Sequence, residues 1–108
     1  MLLSDVLIID ATDRLGWLAG RVLADLGADV IKLESPGSER SRADWRAFNV
    51  NKRMLELDLQ TGADRARLED LLRAADICLL TPSISSAHLD PHALRENYPR
   101  MATTTNRG

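Results

Sequence analysis

The sequence predicts an α/β domain of three layers, built on a parallel or mostly parallel sheet of about five strands. Three observations carry this expectation. The runs at residues 6–9, 30–33 and 77–80 are apolar without alternation, as strands covered on both faces are. Stretches with apolar residues at helical spacing separate them. Strand, helix and strand recur at the interval that gives βαβ units, whose right-handed crossovers make neighbouring strands parallel.

Taken in order, Val6-Leu7-Ile8-Ile9 is a β-prone run ending in Asp10. Leu15, Leu18, Ala19, Val22, Leu23 and Leu26 then form one apolar stripe, which predicts a helix from about residue 14 to 26 with Thr12 or Asp13 as its cap. Gly27 ends it, because the left-handed conformation of a helix C-terminus costs glycine nothing. Val30, Ile31 and Leu33 form the second strand, and Pro36-Gly37 breaks it. Residues 35–51 are polar and irregular, with Trp45 and Phe48 as apolar anchors. They read as a long ordered loop with room for one helical turn.

Residues 54–59 alternate imperfectly and predict a third strand. Thr61 and Asp64 have the spacing of a capping box and open a helix to about residue 75, with Ala66, Leu68, Leu71, Leu72 and Ala75 inward. Ile77-Cys78-Leu79-Leu80 is a fourth strand of buried type, stopped by Pro82. Asp90-Pro91 starts a short helix over about 91–96, and Tyr98-Pro99 closes it. Residues 101–105 predict a last strand, Thr103 to Thr105 lying at a sheet edge.

Composition bounds the class. A chain of 108 residues fits one small domain, and one of this size buries roughly two-thirds of its extended surface. With one Phe and one Tyr, the core must be aliphatic. A net charge of −2 gives no basic field for nucleic acid. No apolar run approaches a membrane span and the start lacks a signal peptide's basic residues, so no membrane role and a cytoplasmic setting are expected. The single cysteine, Cys78, excludes an internal disulfide.

Several constellations could carry chemistry. The turn Asp10-Ala11-Thr12-Asp13-Arg14-Leu15-Gly16 lies where open α/β sheets bind ligands, outside the carboxyl end of a strand. Glu34, 18 residues beyond Gly16, stands where a dinucleotide-binding fold keeps its ribose-binding acid. Gly16 and Gly20 give G-x-x-x-G rather than G-x-G-x-x-G, so they either mark a nicotinamide cofactor site or only let the helix pack closely. Asn49-Val50-Asn51-Lys52-Arg53 places two cations beside amides, a set that could hold a phosphorylated ligand or form a solvated loop. His88 and His92 are spaced i, i+4, but Asp90-Pro91 puts a helix boundary between them, so no metal site is expected. Cys78 in an apolar strand reads as inert packing, and Ser83, Ser85 and Ser86 lack the G-x-S-x-G context of a nucleophile.

Read together, these segments resemble a known family. Gly27-Ala28-Asp29-Val30-Ile31-Lys32-Leu33-Glu34-Ser35-Pro36-Gly37 is similar to the G-A-[DE]-V-[IV]-K-[VI]-E-x-P-G segment of class III CoA-transferases, which include formyl-CoA transferase, carnitine CoA-transferase and alpha-methylacyl-CoA racemase. Asn51-Lys52-Arg53-Met54-Leu55-Glu56-Leu57-Asp58-Leu59 resembles the family's N-K-[RK]-S-[IL]-x-L-[DN]-L. Ala74-Ala75-Asp76-Ile77 and Tyr98-Pro99-Arg100-Met101 resemble two further segments in the same order.

The resemblance implies the N-terminal, Rossmann-like, CoA-binding portion of a longer protein, over residues 1–108 as a truncated or diverged copy. The whole protein would transfer CoA between carboxylic acids or racemise acyl-CoA. Its partners would be acyl-CoA and a carboxylic acid, with a homodimer possible. The family's nucleophilic aspartate lies in a later segment, so no catalytic residue is assigned here, and Asp10, Asp58 and Asp76 fall at structural positions. Coenzyme A or acyl-CoA contacts are implied at Arg14 and Gly16, at Ser35 where the family often has Arg, at Lys52, Arg53, Leu57 and Gln60, and at Thr81 and Pro82. The loop after the fourth strand reads Leu79-Leu80-Thr81-Pro82-Ser83-Ile84-Ser85 in place of V-E-N-F-x-P-G. A non-catalytic binding or interaction module that kept the fold and lost the CoA site is the alternative.

Overall fold

Strand β1 (Leu7–Ala11) is the centre of a five-stranded sheet ordered β3-β2-β1-β4-β5. The computed structural model describes residues 2–13, 16–37, 43–81 and 89–105, the side chain of Asp44 excepted. The other strands are β2 (Asp29–Glu34), β3 (Arg53–Glu56), β4 (Ile77–Leu80) and β5 (Ala102–Thr105). Every pairing is parallel, with Ile9 opposite Ile31 on one side and Cys78 on the other. Among the described residues four helices connect them: α1 (Trp17–Asp25), α2 (Ala43–Asn49), α3 (Gly62–Ala74) and α4 (Pro91–Asn97).

The strand order reverses between β1 and β4. Right-handed crossovers therefore place α1 and α2 on one face and α3 and α4 on the other. The two apolar clusters follow that division. Ile8, Ala28, Val30 and Leu79 pack with Ala19, Leu23 and Ala24 of α1. Ile9, Ile31, Cys78 and Leu80 pack with Leu68 and Leu72 of α3 and Leu94 of α4. Alternate residues of β1 serve opposite layers, which is why its sequence is apolar throughout.

Helix ends follow the sequence closely, with informative exceptions. Gly27 has φ 102°, and the N–H groups of Gly27 and Ala28 donate to the carbonyls of Ala24 and Leu23. This is the Schellman arrangement, and Leu23 and Ala28 share one cluster to complete it. Asp90 caps α4 by accepting from the Ala93 N–H at 3.0 Å, with Pro91 opening the helix. Thr61 caps α3, accepting from the Asp64 N–H at 3.2 Å. The reciprocal arm of the box is diverted, since the Asp64 carboxylate accepts from the Asp58 N–H at 2.8 Å.

Four expectations need correction. Helix α1 starts at Trp17 with Gly16 in the cap position, and the Thr12 hydroxyl donates to Asp10 rather than capping the helix; Leu15 of the expected stripe lies outside the described residues. The α1 stripe divides: Ala19, Gly20 and Leu23 face the sheet, while Leu18, Val22 and Leu26 remain exposed. Ala66 is exposed, since it lies two residues from Leu68 and so on the opposite side of α3. Residues 43–49 form a two-turn helix rather than loop, held by tertiary bonds more than by propensity: the Trp45 indole N–H donates to Glu34 at 2.8 Å and Arg21 donates to the Ala47 carbonyl. The edge position of β5 agrees with expectation, as it pairs with β4 alone.

Cys78 is fully buried at the sheet centre. Burial, reinforced by the negative charge of Asp10, pushes its thiol from 9.0 up to about 12. A group that holds its proton more tightly when folded stabilises the fold fully below its unfolded pKa and loses that contribution as pH rises through the folded one. The alkaline limb of a urea-denaturation stability profile is thus expected to fall between pH 9 and about 12 by an amount that Cys78→Ala removes. Parallel profiles for the two proteins would mean that the thiolate forms freely inside the fold.

Candidate functional site

The functional end of an open parallel sheet is the crevice at its strand carboxyl ends, where the strand order reverses. Here that crevice lies between β1 and β4. Residues Asp10, Thr12 and Thr81, next to those strand ends, are buried polar groups at 0, 1 and 0% exposure. The Asp13 N–H donates to the Thr81 hydroxyl at 3.1 Å, tying the turn after β1 to the end of β4. Gly16 closes the group. A Cβ there would sit 2.7 Å from both Thr12 Cβ and Thr81 Cγ2, so only glycine lets the start of α1 rest on the two threonines.

Beneath this surface lies a buried ion pair. Lys52 Nζ donates to Asp10 Oδ2 at 2.7 Å, to Asn49 Oδ1 at 2.7 Å and to the Trp17 carbonyl at 3.0 Å. These three acceptors use all three ammonium protons. The other carboxylate oxygen of Asp10 accepts from the Thr12 hydroxyl at 2.5 Å and the Thr12 N–H at 3.1 Å. Both charged side chains are 0% exposed. Burial pushes the Lys52 ammonium below the usual lysine range, and the Asp10 charge and hydrogen bond draw it back up. Gly20 provides the space: a Cβ there would stand 2.3 Å from Asp10 Oδ2 and 2.9 Å from Lys52 Cε.

Lys52 has engaged neighbours in sequence. Asn51 Nδ2 donates to Asp25 at the end of α1 at 2.5 Å, and this bond is the main cause of the lowered Asp25 pKa. Arg53 makes two bonds to Asp29 at the start of β2, at 2.8 and 2.7 Å. Three successive residues thus bind three aspartates on three elements. The Arg53 pair is exposed and at the amino end of the sheet, opposite the crevice. Such a surface pair contributes about 0–1 kcal/mol, so its service is to alignment.

A second network closes the end of β2. Glu34 Oε1 accepts from the Trp45 indole at 2.8 Å and lies 3.3 Å from Lys32 Nζ. The carboxylate that would receive a ribose hydroxyl in a dinucleotide fold is thus already engaged by the protein's own donors.

The positions expected to contact CoA therefore divide. Gly16 and Thr81 meet at the crevice. Ser35 is exposed just past β2, and Gln60 is exposed after β3. Leu57 is buried in the α3-side cluster, its N–H donating to the Glu34 carbonyl at 2.9 Å. Lys52 is internal and Arg53 faces the other end. Arg14 and Pro82 lie outside the described residues, as do His88, Ser83, Ser85 and Ser86. Among the described residues no group of three or more His, Cys, Asp and Glu is placed to hold a metal, and no helix is long and apolar enough to cross a membrane. His92 is exposed beside Glu96 at 3.1 Å. Asp58 and Asp76 accept backbone N–H groups, of Gln60 and Leu7.

Sequence reasoning missed the Asp10–Lys52 pair. Its signal was the coincidence of an acid at the end of an apolar strand with a small residue, Gly20, opposite it on the next helix.

Comparison with known proteins agrees with this layout. The model of the family described as CoA-transferase family III matches residues 3–108. Succinyl-CoA:mesaconate CoA-transferase of Haloarcula hispanica is 30% identical over 98% of this chain and 32% of its own length. A crystal structure of the Mycobacterium tuberculosis protein Rv3272 superposes with a TM-score of 0.75 at 30% identity, covering 95% of this chain and 32% of that one. A short-chain dehydrogenase/reductase family protein superposes with a TM-score of 0.52 at 18% identity over 93% of this chain and 48% of that one, a likeness of fold alone. The chain spans about a third of the length of the first two.

Replacing Lys52 by Met strands a buried carboxylate and is expected to cost about 3–5 kcal/mol in urea denaturation. The double variant Asp10→Asn/Lys52→Met should recover part of that loss. Gly20→Ala is expected to destabilise, against the roughly 1 kcal/mol that alanine ordinarily gains over glycine within a helix. A neutral Lys52→Met or a stabilised Gly20→Ala would show that the pair does not organise the fold.

Proposed function

The chain belongs to CoA-transferase family III, and on that premise we propose that it is the N-terminal, CoA-binding portion of a protein that, whole, moves CoA between carboxylic acids or racemises an acyl-CoA. The observation that carries this reading is the family match over residues 3–108. The CoA moiety would lie across the strand carboxyl ends. Gly16 and Thr81 would form its floor, flanked in sequence by Arg14 and Pro82, with Ser35, Leu57 and Gln60 toward β2 and β3. Lys52 and Arg53 would serve this site at one remove, holding the elements that carry it. The whole protein's substrates would be an acyl-CoA and a carboxylic acid, its setting the cytoplasm and its assembly a homodimer.

No residue of this chain is assigned to bond making. The buried Cys78 is a poor nucleophile with its pKa raised to about 12. What these residues would do is bind and orient, leaving the covalent step to chain outside this sequence.

A second reading, a module that has kept the sheet and lost the CoA site, is favoured by one observation. Both cations of the Asn51-Lys52-Arg53 motif are spent on Asp10 and Asp29 rather than turned to the crevice. A nicotinamide cofactor is disfavoured by the engagement of Glu34 with Trp45 and Lys32.

Titration with CoA, followed by amide chemical shifts, separates these readings. Weak binding is expected, with shifts at Gly16, Ser35 and Thr81, no acyl transfer by this chain alone and no change in NADH fluorescence. Shifts absent at saturating CoA would favour the module. Turnover by these residues alone would overturn the division of labour proposed here.

A further inference from the structure

Of the chain's 14 cationic side chains, 12 are arginine and 2 are lysine. Lysine is among the commonest residues of soluble domains and is almost never fully buried unless paired. Here both lysines are buried, Lys32 at 3% exposure and the Lys52 side chain at 0%. They share one internal cluster. Lys32 stands opposite Asp10 in the β1–β2 register; its Nζ donates to the Leu33 carbonyl at 2.9 Å and lies 3.3 Å from Glu34. Lys52 holds Asp10 itself. Helix α2 serves both. Its buried Asn49 accepts from Lys52, and its Trp45 donates to Glu34 beside Lys32. Every other cationic side chain of the sequence is a guanidinium, which stays protonated and is no nucleophile near neutral pH.

We propose that α2 shields both lysines from acyl donors, so that the folded chain presents no lysine side chain to an acyl-CoA. The inference rests on the reading of the ligand as acyl-CoA. A thioester acylates a free lysine amine that it meets. The nitrogen bonds the carbonyl carbon, the C–S bond breaks, and CoA leaves as the thiol with one proton from the amine. The consequence is severe at Lys52. Its acylated nitrogen is neutral and keeps a single N–H, so two of its three acceptors lose their donor and the Asp10 carboxylate becomes a buried, unpaired charge. Helix α2 has seven residues and is held by tertiary bonds, so it is an element that can detach while the sheet stays folded. Its detachment uncovers both amines together, and acylation of Lys52 at that moment blocks its return.

Acetylation by N-hydroxysuccinimide acetate, read by peptide mass spectrometry, tests the shield without need of a CoA site. The Arg67→Lys variant supplies an exposed reference amine on α3. That amine is expected to react about a hundredfold faster than Lys32 or Lys52 of the same folded molecule, and all three at similar rates in denaturing urea. Acetyl-CoA at mildly alkaline pH should give the same order more slowly. Trp45→Ala, which removes the α2 bond to Glu34, should raise acetylation of both lysines about tenfold. If that variant does not fold, the unaltered chain decides: its lysine acetylation should rise with urea well below the unfolding transition and with a shallow slope. Lysines that react in the folded chain as fast as the reference amine would overturn the proposal. A slope as steep as that of global unfolding would overturn the part given to α2. Amide shifts that stay unmoved by CoA would count against the ligand reading instead, and leave the acetylation result standing.

Discussion

The bond between Lys52 and Asp10 is the constraint on which the arrangement of the α1 layer depends. Taking two opposite charges out of water costs several kcal/mol for each. Such a pair persists only if the remaining lone pairs and protons are also satisfied. Here they are: Asp10 accepts from Thr12 twice and Lys52 donates to Asn49 and to the Trp17 carbonyl. The acceptors come from the end of β1, the start of α1 and the end of α2, and the lysine stands immediately before β3. One ammonium thereby fixes four elements, and does so where glycine at position 20 leaves α1 close enough to the sheet. Apolar packing between α1 and the sheet sets only a distance. The ion pair sets an angle and a register.

This changes the reading of Asn51-Lys52-Arg53. As a sequence, two cations beside amides point to an anionic ligand. As a structure, each of the three residues finds an aspartate of its own chain: Asp25, Asp10 and Asp29. The motif acts as a staple across the α1–β2 unit, and the crevice it supports is floored by threonine and glycine. Among the described residues, the side chains gathered at that crevice are neutral or already paired with one another.

Much of the fold was legible in the residues. Strands apolar on both faces, the glycine at position 27 and the Asp90-Pro91 start are local signals with local causes, and the structure bears each out. Helix α2 was not legible, because its stability comes from Trp45 meeting Glu34 and Arg21 meeting Ala47, contacts across more than ten residues that no local pattern records. The outward half of the α1 stripe misled for a related reason. Periodicity shows that Leu18, Val22 and Leu26 share a face with one another, and it does not show that anything within the same chain covers that face. At the site, Gly16 and Gly20 were legible as unusual and illegible in purpose, since one accommodates Thr12 and Thr81 and the other an ion pair.

The same contacts separate this fold from the nicotinamide-binding folds it resembles in outline. Both use a reversal of strand order to open a crevice, and both place an acid at the end of β2. In a dinucleotide site that acid must be free to receive a ribose hydroxyl, and the first turn must be glycine-rich enough for the pyrophosphate to approach the backbone. Here Glu34 is held by an indole and lies beside an ammonium, and the glycines of the first turn and helix are spaced to accommodate side chains beneath them rather than a ligand above. The sheet topology is shared. What differs is which partners the buried and half-buried carboxylates have.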